Sequence, residues 1–273
     1  MKIGFSTLGC PGWDLDTICR KGSAFGFDGV DFRGVLDQID VTVLPEFTDD
    51  LAATKRKLTD AGLAVSGIAS SLRICEQDKF EPNMAEAERT IRVARGLGAQ
   101  MVRVLGCGDI EKYSRDELAS VGQRTMAAVL ALDGARELKW VVETHDHWIA
   151  SADCKLLLDG ITDAEFGILW DMGHTTRVGQ ERPVDTLAAM GDRIFHLHVK
   201  DAVHDPAHPQ AMADGWRYVA PGTGQLPLAE AIRLLRDRGY DGWLLFEHEK
   251  RWHAELPEPE EAFPKFVAWY RSL

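Results

Sequence analysis

The sequence predicts an α/β fold, a single (β/α)8 (TIM) barrel that spans residues 1–273. Three observations carry that prediction. The chain has 273 residues, close to the ~250 of one such barrel. Eight β-rich runs alternate with eight helical patterns, and no linker or low-complexity stretch separates them. The first strand is followed by Leu8-Gly9-Cys10-Pro11-Gly12, not by the GxGxxG turn that a doubly wound dinucleotide-binding sheet would want.

Taken in order, the predicted strands are Ile3–Leu8, Gly29–Arg33, Val65–Ala69, Met101–Gly106, Trp140–His145, Gly167–Asp171, Ile194–Lys200 and Gly242–His248. The helical patterns fall near Asp14–Phe25, Thr48–Ala61, Met84–Leu97, Arg115–Leu138, Ala152–Leu158, Val184–Met190, Pro227–Arg238 and Glu260–Tyr270. Asp14, Thr48, Ser114 and Ser151 stand where helix N-caps are expected. Gly26, Gly62, Gly98, Gly160 and Gly239 stand where helices should stop.

Composition narrows the class of function. With 45% hydrophobic and 27% charged residues the chain has the make-up of an ordinary folded domain. A net charge of −12 argues against nucleic acid, whose binding rests on Lys and Arg against phosphates. Apolar runs such as Trp140–Val142 and Trp243–Phe246 fall far short of the ~20 residues of a membrane span. The opening MKIGFSTLG lacks a signal-peptide core. Five scattered cysteines without a CxxC suit reduced thiols, so a cytoplasmic location is expected. The expected partner is a small molecule or another protein, with a homo-oligomer left open.

In a barrel, chemistry belongs at the C-terminal ends of the strands. The last four strands end in residues that an apolar core would not choose: Glu143-Thr144-His145, Asp171-Met172-Gly173-His174, His196-Leu197-His198-Val199-Lys200-Asp201 and Glu247-His248-Glu249. Side chains at i and i+2 share a strand face, so Glu143 and His145 point together, as do His196, His198 and Lys200. Carboxylates converging on one mouth repel each other unless a cation lies among them. Two glutamates, an aspartate and an imidazole suit a divalent ion, with Mn²⁺ or Mg²⁺ favoured, Co²⁺ or Zn²⁺ open, and no thiolate on offer. His196, one layer deeper, reads as a hydrogen-bonded core histidine.

At these four strand ends the sequence resembles the xylose isomerase-like barrel superfamily of sugar isomerases and epimerases. The opening MKIGFST, then VVETH, WDMGH, HLHVKD and FEHEKRWH appear in the family's order over essentially the whole chain. The resemblance implies Glu143, Asp171, His198 and Glu247 as ligands of one divalent metal ion. It implies Glu143 and Glu247 as the acid–base pair. His198 is chosen over His196 because the family's ligand stands one residue before Lys-Asp. His174 matches a position that contacts substrate oxygens, and His145, Lys200 and Asp201 match positions found at the site. The keto-hexose epimerase branch carries a further glutamate six residues after the first ligand, where this chain has Ile149. The endonuclease branch uses histidines from earlier strands, and none precedes His145 here.

The expected activity is metal-dependent isomerisation or epimerisation of a sugar or sugar phosphate, by proton transfer next to a carbonyl. The alternative is a dehydratase or lyase acting on a keto-sugar or cyclitol, as in the family's inosose dehydratases. The segment Ala202–Gln225, with Trp216, Arg217 and Tyr218, is expected to cover the site as a lid. Lys250, Arg251 and Trp252 would add contacts to a polyhydroxylated ligand. Gly222-Thr223-Gly224 is read as a turn that could cradle a phosphate.

Overall fold

A computed structural model describes residues 1–273, and the eight predicted strands close into a parallel barrel. They are β1 (Lys2–Ser6), β2 (Gly29–Phe32), β3 (Ala64–Arg73), β4 (Met101–Leu105), β5 (Lys139–Glu143), β6 (Phe166–Asp171), β7 (Ile194–Val199) and, last in the chain, β10 (Trp243–Phe246). Each pairs with its neighbour in sequence, and β10 closes the ring against β1, with Lys2 opposite Trp243 and Phe5 opposite Phe246. No helix is long and apolar enough to cross a membrane.

The helices on the outside are α1 (Leu15–Phe25), α2 (Leu51–Asp60), α3 (Phe80–Leu97), α4 (Arg115–Leu130), α5 (Ser151–Gly160), α7 (Pro183–Met190), α8 (Leu228–Asp237) and α9 (Pro259–Arg271). A short helix not expected from the sequence, α6 (Met172–Arg177), starts directly after β6. Asp14 caps α1 by accepting the Thr17 N–H at 2.8 Å, and Ser114 with Glu117 forms a reciprocal capping box on α4.

Two expected caps are corrected. Asp50, not Thr48, holds the cap position of α2, because a 3-10 turn over Pro45–Phe47 pushes the helix start along the chain. Ser151 is the first residue of α5, where its N–H and hydroxyl donate to Glu181 at 2.8 and 2.9 Å. Gly26 and Gly98 end their helices in the left-handed conformation, whereas Gly160 remains inside α5. The fourth helix stops at Leu130, well before the expected Leu138. Gly134 at φ +75° turns the chain into the 3-10 turn Ala135–Glu137.

The segment after β7, expected as a lid, contains an antiparallel hairpin, β8 (Asp201–His204) on β9 (Trp216–Val219), with Ala202 opposite Tyr218. Alternation along a strand then separates Tyr218 from Arg217.

Packing divides the core in two. One cluster of 63 buried residues fills the space between sheet and helices, including Phe5, Phe27, Phe246, Phe263 and Phe266. A second, of Met101, Val141, Leu169 and Trp243, forms the floor inside the barrel. Bulk on β10 is accommodated by glycine on β1 and β2 beside it. A Cβ on Gly29 would lie 2.6 Å from the Trp243 ring, and one on Gly4 would lie 2.9 Å from Leu245. Two residues further along the same strand faces, the apolar floor gives way to polar groups. Met101 leads to Arg103, Val141 to Glu143, Leu169 to Asp171, and Gly29 to Asp31. All four of these polar side chains are buried.

Candidate metal centre at the barrel mouth

Glu143, Asp171, His198 and Glu247 lie within one residue of the ends of four adjacent barrel strands, and all four are buried. One ligand atom from each lies within 4.8 Å of the others. His198 stands between the glutamates, its Nδ1 3.1 Å from Glu143 Oε1 and 3.3 Å from Glu247 Oε1. Asp171 does two jobs. Its Oδ1 accepts the His174 N–H at 2.9 Å as the cap of α6, while Oδ2 lies 2.8 Å from Lys200 Nζ.

Two cations stand behind these carboxylates. Arg103 Nε is 3.2 Å from Glu143 Oε2. Lys200 is buried and contacts Glu247 Oε2 and Glu249 Oε1 as well as Asp171. Burial works against charge in all of these groups, and neighbours reverse it. Burial pushes the Glu143 carboxyl up and Glu247 adds to this, but His198 and Arg103 bring it below the usual range. For Glu247, His198 and Lys200 overcome burial in the same way, and the net shift is downward. Burial lowers His198, but the two glutamates raise it to about 10. Lys200 is held above its ordinary value by Asp171, Glu247 and Glu249 despite burial.

The residues fit a divalent cation on chemical grounds. Three carboxylates and one imidazole face a common centre without a thiolate. His198 Nε2 is buried without any partner, which is costly for a polar atom that has no other task.

The other expected site residues divide into two groups. His174 turns Nδ1 to the Thr144 carbonyl at 2.9 Å and Nε2 toward Lys200 Nζ at 3.4 Å. His145 packs edge-on to the His174 ring, with Nδ1 2.9 Å from Asp146. Burial lowers its pKa, but Asp146 and Glu143 raise it to about 9. These two histidines and Lys200 adjoin the cluster. Trp216, Arg217, Asp201 and Arg251 have their contacts elsewhere. Trp216 stands against His204, Arg217 lies 3.3 Å from Asp205, and Arg251 donates to the Leu36 carbonyl. It is Tyr218 that reaches the mouth from the hairpin, donating to Glu249 at 3.2 Å.

The Gly222-Thr223-Gly224 turn does not hold its amides open for a phosphate. The N–H groups of Gly222 and Gly224 point at Asp201 Oδ2, at 2.8 and 2.9 Å, and those of Ala202 and Leu226 point at Oδ1. The turn is an anion nest whose anion is the chain's own carboxylate. His196 is buried as expected but not hydrogen-bonded; its nearest charged partner is Asp31 at 3.9 Å. Burial and then His198 lower its pKa to about 3, so it stays neutral.

Sequence reasoning did not select Arg103 or Asp31. A signal for Arg103 existed: an arginine inside an otherwise apolar β run, two residues after Met101.

Comparison with known proteins identifies the family. A putative hydroxypyruvate isomerase of Streptomyces coelicolor is 26% identical over 228 residues, covering 73% of this chain and 74% of that protein. An inosose dehydratase of Lacticaseibacillus casei is 26% identical over 130 residues. That match spans 43% of each chain, less than half the relative's length. Among solved structures, the 3-keto-D-glucoside 4-epimerase of E. coli superposes with a TM-score of 0.77 at 19% identity, covering 100% of both chains. The IOLI protein with a bound zinc atom gives 0.79 at 16% identity, over 100% of this chain and 97% of that one. These structural likenesses show the fold alone. The sequence profile described as "Xylose isomerase-like TIM barrel" matches residues 19–273, and the chain belongs to that family.

Proposed function

We propose that the protein is a metal-dependent isomerase or epimerase of a sugar or sugar phosphate, with Glu143 and Glu247 as its acid–base pair. The observation that carries this reading is the pairing of those two glutamates around His198, with Asp171 completing a set of four ligand atoms within 4.8 Å. The four residues would hold one divalent ion, with Mn²⁺ favoured by the oxygen-rich donor set. When bound, the ion supplies Lewis acidity toward a substrate carbonyl.

The side chains supply the rest. One glutamate takes the proton from the carbon next to the carbonyl, and the other returns it. Return to the opposite face of the same carbon inverts it; return to the neighbouring carbon isomerises the sugar. Lys200, beside the carboxylates, presents a donor to substrate oxygens and offsets negative charge there, and His174 Nε2 beside it accepts from a substrate hydroxyl. The names of the isomerase and epimerase relatives support this reading. Five free cysteines, four of them buried, suit work in a reducing cytoplasm.

A second reading is favoured by one finding, the local match to inosose dehydratases. On that reading the same proton abstraction is followed by loss of a β-hydroxyl as water. One experiment separates the two. The Mn²⁺-loaded protein is incubated in D₂O with a panel of keto-sugars, their phosphates and cyclitols, and products are read by NMR. Deuterium at the inverted or neighbouring carbon supports the first reading. An unsaturated product supports the second, and no exchange with any member rejects both.

A further inference from the structure

Buried arginines are expensive unless something holds their charge, and Arg103 lies inside the barrel with its side chain only 7% exposed. It sits between the apolar floor and the carboxylate cluster, two residues beyond Met101 on the same strand face. Its guanidinium is held by a hydrogen bond on one side and faces Glu143 in an ion pair on the other. Nη1 donates to the Ser70 carbonyl at 2.9 Å, and Nε lies 3.2 Å from Glu143 Oε2. Ser70 returns the contact, its hydroxyl donating to the Arg103 carbonyl at 2.6 Å. This exchange lies where the regular pairing of β3 with β4 breaks, between Ala69 and Arg73. The irregularity turns the Ser70 carbonyl to the arginine.

The consequence falls on Glu143. Its two oxygens face different partners: Oε2 the guanidinium and Oε1 the His198 Nδ1 at 3.1 Å. Glu247 has no such arginine and faces the lysine Lys200 instead. A planar guanidinium held at a second point fixes a carboxylate in orientation as well as in charge, which a flexible ammonium does not.

We propose that Arg103 is a positioning residue that clamps Glu143 so that only Oε1 is presented to the shared centre, making the two glutamates unequal as ligands. The proposal rests on the metal reading above, and its test keeps the two apart. Mn²⁺ affinity is measured by calorimetry for the parent, Arg103→Met, Arg103→Lys, Glu143→Gln and the Arg103→Met/Glu143→Gln double variant. The electron paramagnetic resonance spectrum of bound Mn²⁺ reports the symmetry of its ligands.

Arg103→Met is expected to weaken Mn²⁺ binding by ~10–100-fold, the usual loss when the partner of a metal ligand is removed, and to change the spectrum. Arg103→Lys should recover part of that loss. In the Glu143→Gln background, Arg103→Met should change affinity by no more than about twofold, because the clamp has lost its object. An equal loss in both backgrounds would show that Arg103 serves the barrel generally, through Asp31 or packing, and would overturn the proposal. Parent-like affinity in Arg103→Lys would also overturn it, and that variant decides if Arg103→Met does not fold. A parent protein that takes up no Mn²⁺ overturns the metal reading and this proposal together, and is recognised before any Arg103 variant is made.

Discussion

Gly224 donates its backbone N–H to Asp201 at 2.9 Å, inside the turn whose Gly-Thr-Gly spelling suggested a phosphate cradle. Three further N–H groups, from Ala202, Gly222 and Leu226, converge on the same carboxylate. Asp201 therefore ties the hairpin base to the start of α8, and a substitution there tests that tie. Asp201→Asn places an amide donor against backbone donors. A loss of ~1–3 kcal/mol is expected, the cost of leaving buried groups unpaired. Thermal unfolding reads the stability, and hydrogen exchange at Gly222 and Gly224 should quicken. Unchanged exchange at both glycines would show that the turn holds itself.

Metal uptake should release a proton. Burial lowers the His198 pKa, but Glu247 and Glu143 raise it to about 10, so in the metal-free protein the imidazole is charged at neutral pH. A metal takes the neutral ring, hence affinity rises with pH and levels off only above the folded pKa. Below that point the slope should be roughly tenfold per pH unit if one proton leaves. Calorimetry in buffers of different ionisation enthalpy counts the protons. Binding that is independent of pH between 6 and 9, about the range a neutral-pH enzyme meets, would remove His198 from the ligand set.

The glutamate pair can be split by amide substitution. Glu247→Gln keeps an oxygen at the centre and loses the proton carrier, so turnover should fall by ~10²–10⁴-fold while some metal is retained. Once a substrate is known, deuterium incorporation into recovered substrate is compared for Glu143→Gln and Glu247→Gln. If opposed bases invert the centre, one variant should still exchange the proton without inverting it. Near-parent turnover in Glu247→Gln would move the role to Glu249, which shares Lys200 with it.

A fourth expectation concerns the barrel floor. Gly29→Ala would set a methyl group 2.6 Å from both the Ala64 carbonyl oxygen and the Trp243 ring. Backbone cannot give way there as a flexible side chain could. The expected loss is ~1–3 kcal/mol, read as a fall in Tm of roughly 2–4 °C for each kcal/mol. Shrinking the ring in Gly29→Ala/Trp243→Phe should recover part of it. An unchanged Tm in the single variant would show that the floor is looser than its packing implies.

What the sequence by itself determined is local. β-rich runs at the right intervals mark the eight strands, because side-chain alternation and helix stop signals are written in neighbouring residues. Polar residues at successive strand ends marked the mouth, the family resemblance singled out Glu143, Asp171, His198 and Glu247 among them, and barrel closure brought those four within a few ångström of each other. Even the glycines of the floor are visible as letters, though not their purpose. What only the tertiary structure decided is which charges meet. Glu143 and His198 are 55 residues apart in the chain, and Arg103 reaches Glu143 from the adjacent strand. Lys200 is aimed at three carboxylates from two different stretches of sequence. The hairpin register sends Tyr218 to the mouth and leaves Arg217 with Asp205. Spacing along a strand predicts the face a side chain takes, but its partner depends on strand register, on bulges such as that before Arg73, and on loops that fold back. Those are set by the energy of the whole packed barrel, in which a buried charge takes whatever opposite charge lies within reach.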